Sequence, residues 1–393
     1  MNPGRPVMPG ADKLRRPLAQ ETTRLAEEAE SARGADTVRA YGATSAESGL
    51  VPLTITRREP KPDDVEIEVE FCGLCHSDVH ATRGEWGPRP WPLVPGHEIV
   101  GRVRRVGAEV RRFAVGDRVG VGCMVDSCRE CAHCRAGLEQ FCERGTVGTY
   151  GVPDPRNGGE VTQGGYSQRI VVNEGYVLRI PDSLDPAAAA PILCAGITTY
   201  SPLRRFGVGP GTRVGVLGLG GLGHMAVKLA AAMGAEVTVF TRTPSKADDA
   251  ARLGAHRVVV TSDAAQLEAA AGTLDVVLDT VSAPHDPNAS LRTLRLDGAL
   301  VALSLPSGDM PPVRPGALIR RRLTYTGSLI GGIAQTQEVL DFCAERGVAP
   351  EIEMVRAADL NEAFDRIVAS DVKYRFVLDA ASLADAGQET GES

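Results

Sequence analysis

Thr212–Gly234 reads TRVGVLGLGGLGHMAVKLAAAMG. TRVGVL is an apolar strand, GLGGLGH at Gly218–His224 is a glycine-rich turn, and the alanine-rich run that follows has a helical pattern. A G-x-G-x-x-G placed between a strand and a helix is the dinucleotide-binding fingerprint. Gly218, Gly220 and Gly223 fill its three positions, which serve the tight turn, the approach of the pyrophosphate and close helix packing. Gly221 opens the helix beside them. The anion then sits on free N–H groups at the positive end of the helix dipole.

Toward the C-terminus the next strand reads EVTVFTRTPSK, Glu236–Lys246. An acidic residue at its end would bind the 2′-hydroxyl of NAD. Thr241, Arg242, Ser245 and Lys246 stand there instead. A hydroxyl, a guanidinium fork and an ammonium suit a 2′-phosphate, so the expected cofactor is NADP(H). Further apolar strands, RVVV, LDVVLD and ALVAL, alternate with helical stretches across residues 187–327. This predicts an α/β unit with a doubly wound parallel sheet.

Toward the N-terminus, VDSCRECAHCRAGLEQFC sets Cys128, Cys131, Cys134 and Cys142 in a C-x2-C-x2-C-x7-C pattern. Four thiolates so close match a closed, tetrahedral structural zinc. Two disulfides or free thiols are the alternatives, and disulfides require an oxidising compartment. A closed site leaves no position for a reactant, so the chemistry lies elsewhere. Cys75 in FCGLCHSDVH, His97 in VPGHEIVG and Cys194 in APILCAGITTYSP form a second set, two thiolates and an imidazole with a fourth position free. Glu98 follows His97, a carboxylate able to orient or briefly replace a ligand. Cys72 and Cys75 also read as a CxxC pair. Cys72 is taken as the packing member, because Cys75 is followed by polar His76, Ser77 and Asp78.

These motifs, with CGLCHSDVH, VPGHEIVGRV, GVGCMVDSC, LCAGITTYSPLR, TGSLIGG and DVKYRFVLD, resemble the zinc-dependent medium-chain alcohol dehydrogenases. Within that family the chain is similar to the cinnamyl-alcohol-dehydrogenase-like branch and its bacterial broad-range aldehyde reductases. The resemblance runs from about Thr37 to Asp379. It implies a GroES-like β-rich catalytic domain over residues 37–186 and 328–382, with the Rossmann domain over 187–327 between them. It implies two zinc ions per chain, hydride transfer between NADP(H) and an aldehyde/alcohol pair, and a homodimer. Ser77, two residues after a ligand, is within reach of the substrate oxygen, and by resemblance it starts a proton relay to His80, with Glu85 at its acidic end. His76 resembles the residue on the pyrophosphate side, and Thr198 and Arg375 are carried over as cofactor residues. Trp86 and Trp91 flank the path to His97 and are candidates to line an apolar pocket. Leu329 and Ile330 stand where plant enzymes of the branch carry a bulky aromatic, and Val147 where they tend to carry tryptophan. These departures imply a smaller-walled pocket and broad aldehyde use. His133, His256 and His285 are expected to be solvated and receive no role.

The chain has 393 residues, 43% hydrophobic and 24% charged, with a net charge of −7. That length accommodates two cores. The acidic balance argues against nucleic acid or an anionic membrane as partner. No apolar run is long enough to span a bilayer, and the first residues lack the apolar core of a signal peptide. Six of the nine cysteines fall in the two zinc sets, which fits a reducing cytoplasm. Residues 1–36 read as a disordered extension and 383–393 as a frayed tail. VEIEVEF, residues 65–71, alternates Val65, Ile67, Val69 and Phe71 inward with Glu66, Glu68 and Glu70 outward. Thr336–Arg346 and Leu360–Ala369 are expected helices, and Tyr374–Asp379 a strand that returns to the first domain. Two rival readings are an NAD-linked polyol or formaldehyde-type dehydrogenase on the same fold and a nucleic-acid zinc ribbon. The basic loop and Cys194 oppose the first. The second leaves the glycine turn unexplained and conflicts with the acidic charge.

Overall fold

Six parallel strands build the sheet around the glycine turn. Their order in space is Arg257–Val260, Glu236–Thr241, Arg213–Leu217, Leu274–Asp279, Leu294–Ala302 and Thr324–Gly327. The protein is described by a computed structural model that covers residues 36–385 apart from residue 307. The two faces of the sheet feed different cores. Val214, Val216, Val239 and Leu278 enter one cluster, and Phe240, Val277 and Leu300 the other. Burial on both faces is why these strands read as continuous apolar runs. The chain winds outward on one side of Arg213–Leu217 and then returns to its other side, where Leu217 pairs with Asp279. That reversal opens the ligand crevice of a doubly wound sheet. Gly218 turns there at φ +90, and a Cβ on Gly223 would fall onto the Gly218 carbonyl. The helix Gly221–Ala232 follows directly.

The second sheet has seven strands and is mostly antiparallel. Asp64–Gly73 is its centre. It pairs with Ile99–Val106 on one side, and on the other with Arg169–Asn173 and then Arg375–Asp379. The last described strand thus returns to Phe71–Gly73, while Ile352–Val355 pairs beside it. Val65, Ile67 and Val69 enter the core as the alternation predicts, and Phe71 is half-buried. Glu66 is nonetheless buried. The register shifts between Glu66 and Ile67, and the buried Glu66 carboxylate is ion-paired with Arg104, Arg105 and Arg169. The extra residue of this bulge is Arg104 on the partner strand, since Glu66 faces Arg105 and Ile67 faces Val103. The helices Ile333–Arg346 and Leu360–Val368 fall where the sequence places them.

The expected fray at 383 is also corrected. Ala380–Ala384 forms a 3-10 turn capped by Asp379, and Leu383 is 0% exposed. Apolar burial therefore holds the chain through Leu383. The remainder of the expected tail, residues 386–393, and the expected extension up to residue 35 lie outside the described residues.

Candidate catalytic and cofactor site

Cys75 leaves the central strand of the second sheet and becomes the N-cap of the helix His76–Thr82. Its N–H donates to Asp78 Oδ2 at 3.0 Å. His97 comes from the opposite turn, just before Ile99–Val106. Gly96 holds φ +103, and a Cβ there would meet Tyr166 Cδ1 at 2.6 Å and Cys72 Sγ at 2.8 Å. Only glycine fits, and Cys72 is the packing cysteine the sequence suggested. Cys194 arrives as the N-cap of the helix Ala195–Arg205, its Sγ 4.0 Å from Cys75 Sγ. One donor atom from each of Cys75, His97, Glu98 and Cys194 lies within 4.8 Å of the others. Two soft thiolates and an imidazole are the donors zinc prefers.

Asp78, fully buried, organises this group and was not singled out from the sequence. It accepts from Cys75 N, from Gly96 N at 3.2 Å and from Tyr166 Oη at 3.1 Å, and it faces His97 Nδ1 at 3.1 Å. An ionised carboxylate only accepts, so Nδ1 carries the proton and the Nε2 lone pair is left for a metal. Glu98 is buried behind the ligands. Its Oε1 is ion-paired with Arg375, and its Oε2 has no hydrogen-bond partner among the described residues. Burial pushes the Glu98 carboxyl up to about 7 against the pull of Arg375. The Arg375 guanidinium also donates to Leu74 O at 2.8 Å. A Cβ on Gly221 would meet Arg375 Cδ at 2.9 Å, so one side chain spans from Glu98 to the glycine turn.

The residues expected to form the relay lie on the helix that follows Cys75 and in the turn after it. Ser77 is half-buried in the first turn after Cys75. His80, one turn on, is paired through Nδ1 with Glu85, which is partly exposed. The His76 and His80 rings lie 4.9 Å apart. Burial, then the charge of His80, lowers the pKa of His76. Thr198 is buried, its N–H donating to Cys194 O at 2.9 Å. At the cofactor end, Thr241 is buried at the strand terminus and Arg242 is exposed. Ser245 Oγ lies 3.4 Å from Thr243 Oγ1. Lys246 Nζ donates to Leu219 O at 3.2 Å, which lays the basic loop over the glycine turn. No carboxylate ends that strand, so the residues present fit a 2′-phosphate.

The expected pocket residues are less gathered. Trp86 is 41% exposed and its ring lies 5.0 Å from that of His80. Trp91 is half-buried against the second core. Leu329 is 55% exposed. Ile330, at φ +35, packs against both large cores. Two residues near the ligands escaped the sequence reading. Tyr150 has its ring 5.7 Å from that of His97. Cys123 points its Sγ at Leu193 O, 3.8 Å away. Cys123 was visible in GVGCMVDSC, but nothing local marks it as facing Cys194.

The four-cysteine loop closes on itself. Its four Sγ atoms lie within 4.8 Å of one another. Cys128 N donates to Cys142 Sγ, Cys131 N to Cys128 Sγ and Cys134 N to Cys131 Sγ, at 3.4, 3.3 and 3.5 Å. The N–H of Cys134 leads in drawing the Cys131 thiol down to about 6. All nine cysteines are free, so the disulfide alternative does not hold. His133 is exposed, with Nδ1 at 2.6 Å from Phe141 O, and His256 accepts from Val237 N. His285 is not simply solvated: its Nε2 lies 2.7 Å from the buried Asp279 carboxylate.

A crevice for a dinucleotide set against a metal site with a free position defines a zinc-binding dehydrogenase. Residues 61–182 match the alcohol dehydrogenase GroES-like domain, and residues 221–345 match the zinc-binding dehydrogenase domain. The chain is 57% identical over 349 residues to NADP-dependent alcohol dehydrogenase C 1 of Mycolicibacterium smegmatis, covering 88% of this chain and 99% of that protein. It is 51% identical to aldehyde reductase YahK of Escherichia coli, over the same shares of the two chains. Among solved structures, CAD from Helicobacter pylori complexed with NADP(H) superposes with a TM-score of 0.83 at 38% identity, covering 88% of this chain and 99% of that one. The chain belongs to the zinc-binding alcohol dehydrogenase family.

Proposed function

We propose that the protein reduces a broad range of aldehydes with NADPH, and oxidises the matching primary alcohols with NADP+, at the site of Cys75, His97 and Cys194. The observation that carries this reading is Arg375, whose side chain reaches from the metal-ligand set to the dinucleotide turn. Zinc, when bound, polarises a carbonyl or lowers an alcohol's pKa, and the nicotinamide carries the hydride. The protein supplies the rest. Asp78 holds the His97 ring and its tautomer. Ser77 passes the proton to or from the substrate oxygen, and His80 with Glu85 takes it to solvent, so bulk water need not enter. His76, Thr198, Arg375 and the glycine turn hold the cofactor, while Arg242 and Lys246 take the 2′-phosphate. Cys128, Cys131, Cys134 and Cys142 hold a second, structural zinc.

Aliphatic Leu329, Ile330 and Val147 favour an adaptable pocket that accepts aliphatic and aromatic aldehydes. Residues 37–186 and 328–382 form the catalytic domain, and 187–327 the NADP domain. A homodimer is supported by the sheet edge at Thr324–Gly327, which among the described residues pairs on one side only, and by exposed Ile319 (78%) and Leu305 (69%). Nine free cysteines suit the cytoplasm. Among the described residues no helix is long and apolar enough to cross a membrane. The deciding experiment is steady-state rates over an aldehyde and alcohol panel with both cofactors, together with a zinc count. Aldehyde turnover with NADPH and two zincs per chain is expected. No turnover with either cofactor overturns the reading.

A further inference from the structure

The four-cysteine lobe makes a contact that its own metal does not require. Half-buried Glu139, three residues before Cys142, accepts from Ile333 N at 3.1 Å. Ile333 is the first residue of the 14-residue helix Ile333–Arg346. The first N–H groups of a helix have no partner within it, and a negative charge there is favourable. Gly332, the N-cap, belongs to the same contact. A Cβ on it would fall on Gly137 O and lie 2.5 Å from Glu139 Oε2. The backbones of lobe and helix therefore touch where only glycine fits.

Just before this contact stands Ile330 at φ +35. A β-branched residue takes that conformation only when its surroundings impose it. Ile330 is wedged between the two large cores, and Ile333 packs on both as well. Between them, a Cβ on Gly331 would meet Ile197 Cδ1 at 2.5 Å. Ile197 lies about one helical turn beyond Cys194. A continuous run of contacts thus leads from the closed lobe through residues 333 and 332 to Ile330, and through Gly331 to the helix that carries a ligand of the open site.

We propose that Glu139 is a positioning residue for the substrate: it anchors the 329–333 segment, and the closed metal lobe thereby sets the width of the aldehyde pocket. This rests on the reading that Leu329 and Ile330 line that pocket. Without the anchor, the helix start is free to shift and the strained Ile330 to relax, which widens the pocket.

The test is Glu139→Ala, Glu139→Gln and Gly332→Ala, with kcat and KM measured separately for butanal and cinnamaldehyde, and with zinc content and Tm. Glu139→Ala is expected to keep two zincs and to change the cinnamaldehyde-to-butanal ratio of kcat/KM about tenfold, mostly through KM. That is the lower end of what a one-methylene change does in an apolar pocket. Glu139→Gln keeps an acceptor oxygen and should restore most of the parental ratio. Gly332→Ala, if it folds, should move the ratio in the same direction as Glu139→Ala. An unchanged ratio with two zincs and only a lower Tm would show that Glu139 merely caps a helix. Loss of a zinc from Glu139→Ala would place its effect on the metal lobe itself. Either result overturns the proposal. A parent enzyme without aldehyde turnover overturns the functional reading instead.

Discussion

Asp78→Asn isolates the group that holds the open metal site. The Asp78 carboxylate is fully buried and faces four donors: Cys75 N, Gly96 N, Tyr166 Oη and His97 Nδ1, all between 3.0 and 3.2 Å. A carboxylate has about four lone-pair sites, so its capacity is used in full. Asparagine keeps the shape but places an NH2 where two of these donors point. Leaving two buried donors unsatisfied costs roughly 2–6 kcal/mol, and the two bonds that remain lose their charge assistance at about 1 kcal/mol each. There is a chemical consequence as well. If the new NH2 faces His97, Nδ1 must accept, the ring proton moves to Nε2, and the lone pair that would meet the metal is gone. Partners of this kind typically cost about 10–100-fold in metal affinity when mutated.

The assay is a chelator titration with a chromophoric zinc indicator, run beside kcat. The parent should release its two zincs with separate midpoints. Asp78→Asn should release the first at about 10–100-fold lower chelator, with the four-cysteine zinc unmoved, and should turn over slowly unless zinc is added. Unchanged midpoints for both zincs with parental kcat would refute the role given to Asp78.

Four other outcomes are expected. Charge-assisted bonds contribute about 1.5–3 kcal/mol each, so NADPH should be preferred over NADH by more than about tenfold and Arg242→Asp should abolish the preference; equal kcat/KM for the two cofactors in the parent would remove the 2′-phosphate assignment. Cys131→Ser should lower Tm and soluble yield and leave one zinc, whereas Cys194→Ser should fold and lose turnover; a Cys131→Ser protein as stable as the parent with two zincs contradicts the structural site. Ser77→Ala should cut kcat about 10²-fold at full zinc occupancy while Ser77→Thr stays active, with His80→Ala milder; an active, zinc-replete Ser77→Ala removes the relay. His285 presents Nε2 to Asp279 and Nδ1 to Ala283 O at 2.9 Å, two acceptors that call for the doubly protonated ring, and the Asp279 bond raises its pKa. Its stabilising effect is present in full below the ordinary value of about 6.5 and is lost as pH rises through the raised folded value. The Tm gap between parent and His285→Gln should therefore be widest below about pH 6.5 and close at alkaline pH; a gap independent of pH would count against the imidazolium.

Most of the fold could be read from the chain because its signals are local. The glycine turn lies between its own strand and helix, the four cysteines share one loop, and the strands of the parallel sheet are apolar runs. What escaped depends on contacts distant in sequence. Asp78 stands in the quoted CHSD, but its importance comes from Gly96 and Tyr166, 18 and 88 residues away. Glu66 fits its alternating pattern, yet it is buried because three arginines on neighbouring strands cover and pair its carboxylate. Leu383 sits in a tail-like sequence, yet it and Ala380 enter the second core and Ser382 Oγ accepts from Ala357 N at 2.8 Å, which bind that turn in place. Pocket residues were the least legible, because lining a cavity leaves no period in the sequence.

The site lies at the junction of the two sheets for a topological reason. Arg375 and Glu98 belong to the same sheet system: Arg375 opens the returning strand, and Glu98 precedes Ile99, which pairs with the same central strand. Gly221 belongs to the other. A motion that separates the two sheets would therefore leave the Arg375–Glu98 pair intact and part Arg375 from the glycine turn, along with contacts such as Lys373 with Asp249 and Tyr374 with His224. Breaking a buried pair by losing one partner costs about 3–5 kcal/mol, so the guanidinium stays with its carboxylate and with Leu74 O. The positive charge is thus fixed in place before any dinucleotide arrives. A pyrophosphate on the Gly218–Gly223 turn would meet a guanidinium held by the opposite lobe.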